Sequence, residues 1–155
     1  MSFRLTGLDP GPFAGFFRMT DTELALHGAR RCIVDAKPGF PDRVELRDLE
    51  IGETALLVNY THQPADTPYH ASHAVYVGEN SRTAYDAVDR VPGTLRLRPL
   101  SLRAFDAGHM LHDAVVVDGR EVESALEQLL ADERAAYIHV HYARAGCYAA
   151  RVKRL

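Results

Sequence analysis

The closing stretch from Tyr137 to Leu155, YIHVHYARAGCYAARVKRL, constrains the fold more than any other, because an alternating run enters a glycine turn and leaves it again. Gly146 suits the left-handed last position of a three-residue loop, so Arg144, Ala145 and Gly146 are expected to form a type I turn with a bulge. Ala143 then faces Cys147. The register pairs Ile138 with Val152, Val140 with Ala150 and Tyr142 with Tyr148, which makes one surface apolar. The opposite surface carries His139 across from Arg151, His141 across from Ala149, and Cys147 diagonal to His141. A two-residue Ala145-Gly146 loop would instead set Val140 against Arg151 and Ile138 against Lys153. Register follows the hydrophobic pattern, so the first arrangement is preferred.

A hairpin with one apolar face needs a second layer to cover it. Arg120 to about Glu133 supplies an amphipathic helix, with Val122, Ala125, Leu126, Leu129 and Leu130 on one stripe and Asp118 and Glu121 spaced as a cap pair. Thr20 with Glu23 reads as the capping box of a short N-terminal helix ending near Gly28, and Phe13, Phe16 and Phe17 recur at helical spacing just before it. Strands are expected at Phe3 to Leu8, Arg30 to Ala36, Thr54 to Thr61, His73 to Val77, Thr94 to Phe105 with a break at Pro99, and His109 to Val117. Thr54 to Thr61 is the most apolar and is expected to be central. Residues 43–47 alternate as well, while Glu79 to Val91 reads as a polar loop or short helix. Frequent turns and few helices point to an α+β fold. The expectation is a single domain over residues 1–155, with a mostly antiparallel twisted sheet, one long amphipathic helix and one short N-terminal helix.

Charge and segment patterns exclude several partners. A net charge of -3 offers no basic field for nucleic acid, and sixteen arginines against two lysines read as codon bias. No stretch approaches the length of a membrane span and the N-terminus has no leader pattern, so a cytoplasmic location is expected. Two cysteines do not make a disulfide framework, and reduced thiols are expected; whether Cys32 and Cys147 can pair stays open. Cys32, beside Ile33 and Val34, reads as a buried inert thiol.

Three kinds of chemistry are written into the hairpin. His139-Val140-His141 can supply two metal ligands, but a zinc site needs a third, and nothing selects among His109, His112, Cys147 and a distant carboxylate. No metal and no cofactor are therefore assigned. Cys147 beside His141 would be a nucleophile and base in a thiol-dependent enzyme, which lacks a visible third member. The favoured reading is a site for a small acidic ligand formed by His139, His141, Arg144, Cys147 and Arg151. A third class, a homodimeric interaction module, would pair an exposed sheet edge.

The segments DAKPGFPDRVELRD (Asp35 to Asp48), LLVNY (Leu56 to Tyr60), Pro68-Tyr69 and HVHYARAGCYAARV (His139 to Val152) together carry a likeness. Over essentially its whole length the chain resembles a bacterial family of uncharacterised proteins, domain of unknown function 1203. HVHYARAGCY is its most specific part. The resemblance implies a bacterial, single-domain, cytoplasmic protein. It brings no established activity, so no catalytic role is carried over.

Overall fold

The computed structural model describes residues 1–155 and is α+β, with nine strands in two antiparallel sheets. The larger sheet has the order β5-β1-β9-β8-β6-β7, built from β1 (Phe3–Thr6), β5 (Asp86–Val88), β6 (Leu100–Phe105), β7 (Leu111–Val117), β8 (Tyr137–Tyr142) and β9 (Tyr148–Arg154). The smaller has the order β2-β3-β4, from β2 (Ala29–Ile33), β3 (Thr54–Gln63) and β4 (Ala71–Gly78). The most apolar strand, β3, is central in its sheet as its composition predicts. No helix is long and apolar enough to cross a membrane.

Each sheet face is covered by what its side-chain period demands. Leu100, Leu102, Ala104, Ile138, Val140, Ala150 and Val152 alternate onto one face of the large sheet and share a core with the long helix α3 (Val122–Ala131). Val122, Leu126, Leu129 and Leu130 of α3 are buried there, as the stripe requires. The opposite face meets the small sheet, where Leu56, Val58, Val75 and Val77 pack with Tyr148 of β9. Local chemistry sets the ends. Thr20 accepts the Glu23 N–H at 3.2 Å while Glu23 accepts the Thr20 N–H at 2.8 Å, closing the expected box on α1 (Asp21–Leu26).

The structure departs from the expected pattern in several places. Residues 94–105 open as a helical turn, α2 (Gly93–Arg96), because Thr94 and Leu95 turn inward before the strand begins at Leu100. Residues 86–88 form an edge strand against β1 within a segment read as loop or helix. Asp118 caps the Arg120 N–H at 2.9 Å and shares no reciprocal bond with Glu121. Residues 43–47 form no strand, although Val44 and Leu46 are buried. At the start of that segment Asp42 and Arg43 are both buried charges. Asp42 accepts from the Glu45 and Gly78 N–H groups and the Ser81 hydroxyl, while Arg43 reaches the hairpin.

Candidate functional site

The hairpin turn takes one residue more than expected. Gly146, at φ +81°, donates its N–H to the Tyr142 carbonyl at 2.8 Å, and the Tyr142 N–H reaches the Cys147 carbonyl at 2.9 Å. A four-residue loop, Ala143 to Gly146, therefore closes a Tyr142·Cys147 pair. Next, His141 pairs with Tyr148, and a bulge at Ala149 restores Val140·Ala150, His139·Arg151 and Ile138·Val152. The bulge absorbs the offset of the turn, so the outer register is the one the apolar pattern requires.

This correction exchanges two side chains between faces. Tyr148, expected on the apolar side with Tyr142, lies beside His141, where its ring stacks on His62 at a centroid distance of 5.4 Å and 7° between planes. Cys147 moves the other way, into the core that holds Tyr142 and α3, and is 9% exposed. Its sulfur accepts a hydrogen bond from Arg43 at 3.0 Å. Cys147 and His141 therefore stand on opposite faces of the hairpin and do not form the nucleophile and base pair. Arg144 goes with Cys147, lining a cavity of about 610 Å³ with Arg43, Arg98 and Tyr142. The five residues expected to form one ligand site are thus divided: His139, His141 and Arg151 on one face, Arg144 and Cys147 at another cavity. Cys32 is half-buried rather than buried, on β2 at the edge of the small sheet.

On the face that remains, three histidines converge. His139 and His141 come from β8 and are 4% and 1% exposed; His62 comes from β3, across the junction of the sheets. One candidate ligand atom from each lies within 4.8 Å of the others. The His62 ring meets that of His141 edge-on at 4.9 Å and that of His139 at 6.0 Å. Burial is the main cause that holds all three imidazoles below their ordinary titration range. Nearby Arg103 and His73 add to it for His62, which falls to about 4. His139 falls to about 3, with the other two histidines, Arg151 and Arg103 adding to burial. His141 falls to about 3 although its bond to the Gly146 carbonyl opposes the shift. All three are neutral at pH 7 and keep a nitrogen lone pair.

Two arginines flank the trio. In the sheet, Arg103 of β6 and Arg151 of β9 are the registered neighbours of His139 on either side. Neither forms an ion pair. Arg103 donates to the Ser101 hydroxyl at 3.3 Å and burial lowers its pKa; Arg151 lies over the Tyr137 ring at 4.2 Å, with its Nε buried and unpartnered. The mouth is a cavity of about 230 Å³ lined by His62, Gln63, Pro64, Ala65, His109, Tyr137, His139 and Arg151, with no carboxylate among them. The Tyr137 hydroxyl ties it together, accepting from Gln63 at 2.8 Å and bonding His109 Nδ1 at 2.8 Å.

Of the residues weighed as a third metal ligand, His109 is engaged by Tyr137, His112 pairs with Asp132 at 2.8 Å, and Cys147 faces away. His62 and Arg103 were not among the expected site residues. His62 is the next inward step after Leu56, Val58 and Tyr60 at period 2, one residue beyond where the strand was expected to stop. Arg103 needs the strand order, which places β6 beside β8.

The chain belongs to the family described as protein of unknown function (DUF1203), whose profile matches residues 39–154. That span is narrower than the near-complete likeness read from the sequence, but it contains the histidine trio, both flanking arginines and Cys147. No curated protein and no solved structure matches the chain.

Proposed function

We propose that this DUF1203 protein binds a small anionic ligand between Arg103 and Arg151, over the face formed by His62, His139 and His141. One observation carries the reading: two guanidinium groups without acidic partners flank His139 in the sheet, and the cavity that Arg151 lines there contains no carboxylate. Holding two like charges half-buried on one face of a sheet is unfavourable unless an anion lies between them. A guanidinium also offers a planar fork of donors suited to carboxylate or phosphate. The neutral imidazoles and the Tyr137 hydroxyl add hydrogen-bonding groups without adding charge. At about 230 Å³ the cavity is below the roughly 300 Å³ at which drug-sized pockets begin, so the ligand class is a small acid. Compared with the site first expected, this one keeps His139, His141 and Arg151, and replaces Arg144 and Cys147 with His62 and Arg103. Both cysteines are free thiols, which supports the expected reducing, cytoplasmic setting.

Calorimetric titration with acetate, malonate and inorganic phosphate tests this at constant ionic strength. At least one should bind with a stoichiometry near one, and Arg151→Gln and Arg103→Gln should each weaken it at least tenfold. Arg144→Gln should leave it unchanged. Binding that survives both Arg103→Gln and Arg151→Gln, or is lost in Arg144→Gln, would move the site to the other cavity.

A further inference from the structure

We propose that His62, His139 and His141 form a three-histidine site for a transition-metal dication, and that the metal and the anion bind with positive coupling. The first argument is hydrogen-bond accounting. His62 Nδ1, His139 Nδ1 and His141 Nε2 are all buried and none has a partner. A buried polar atom left unpaired costs on the order of 1–3 kcal/mol, so three such atoms in one cluster are unexplained by packing alone. A shared ligand explains all three at once.

The second argument is orientation. His141 Nδ1 lies 2.9 Å from the Gly146 carbonyl, which can only accept, so the proton sits on Nδ1 and the lone pair on Nε2. A backbone carbonyl holding the far nitrogen of a ligating imidazole is the usual outer support of a metal-bound histidine. The four-residue turn provides it, since Gly146 lies in that loop and directs its carbonyl back to His141.

The donor set selects the ion. Three imidazoles without carboxylate or thiolate suit zinc, cobalt, nickel, copper or ferrous iron, and do not suit calcium or magnesium, which take oxygen ligands. Ligands on one tetrahedral ion at 2.0–2.1 Å stand about 3.3 Å apart. The candidate atoms lie within 4.8 Å of one another, so the rings close inward on binding. Three protein ligands leave one coordination position open, the arrangement of sites that bind exchangeable molecules rather than purely structural ones.

The coupling follows from charge and rests on the anion-binding reading above. Arg103 and Arg151 repel a bare dication. An anion bound between them, over the open position, is attracted by the metal and both guanidiniums. Each ligand therefore raises the affinity of the other by the same factor.

Cobalt(II) is the probe, added to protein stripped with chelator and dialysed. One equivalent should bind with the visible bands of a four- or five-coordinate nitrogen site. His62→Gln, on the half-buried partner, should abolish the bands while the far-ultraviolet circular dichroism is unchanged, and His141→Gln should do the same if it folds. His112→Gln should retain them. Saturating acetate should shift the bands and tighten cobalt binding at least fivefold. Absence of one-equivalent binding, or binding that persists in His62→Gln, overturns the metal site. If acetate, malonate or phosphate still binds the stripped protein in that case, the anion reading stands and only the metal inference falls. One-equivalent binding lost in His62→Gln but indifferent to acetate supports the metal site and overturns the coupling.

Discussion

The two cysteines are placed opposite to their expected exposure, and the exchange is open to chemical test. Cys32 reads as buried because Ile33 and Val34 follow it, yet it is half-buried on β2. Cys147 reads as exposed on a polar face, yet it is 9% exposed, with its sulfur held by Arg43. A thiol must be reached before it can be alkylated. In native protein at neutral pH, iodoacetamide should therefore modify Cys32 before Cys147, and the two rates should converge in denaturant. Mass spectrometry of the digested protein reads both sites, and earlier labelling of Cys147 would mean that the cavity beside Arg144 opens it to reagent. Arg43 is the residue no local pattern anticipates. It is 1% exposed, and it donates to the carbonyls of Pro41 and Tyr148 as well as to Cys147. The two partners on the hairpin lie more than a hundred residues away, so the immediate sequence does not mark the residue they bury.

At the scale of single elements, the hairpin is the most instructive. Gly146 is identifiable from sequence as the left-handed residue, and it adopts φ +81°. A Cβ added there would meet nothing within 4 Å, so Gly146→Ala tests backbone conformation alone. It should cost about 1 to 2 kcal/mol, measured by denaturant unfolding, with Gly146→Asn costing less because asparagine tolerates the left-handed region. Equal losses for the two would place the cost elsewhere. The outer register is also readable, because a slip of one residue would turn Ile138, Val140 and Val152 away from the core. The tip is not readable, since a longer turn followed by a bulge satisfies the same apolar pairs as a shorter turn without one. The stripe on α3 needs only local spacing, and its buried residues are those expected. The third histidine depends on where β3 ends, and strand ends are weakly marked when the alternation runs on into Thr61 and His62.

At the scale of the molecule, stability should fall in acid through a particular pair. Arg47 grips Glu53 with two bonds of 2.8 Å, and the Glu50 N–H adds a third of 2.6 Å. These hold the Glu53 carboxyl down to about 2, against the opposing effect of burial. A carboxyl more acidic in the folded state stabilises the fold above its unfolded range, and this contribution is lost as pH falls from about 4.5 toward 2. Denaturant midpoints across that window should drop less steeply for Glu53→Gln than for the wild type, and parallel curves would remove the pair from the account. The junction of the two sheets has a different consequence, which concerns the order of folding. About half the chain separates His62 from His139, so their meeting is a non-local event in this topology. Such contacts come late, after the entropy of closing the intervening chain has been overcome. A hairpin that has formed early holds two imidazoles and no more. The third arrives only when the small sheet docks, so a nascent or partly unravelled chain has no complete trio with which to capture an ion.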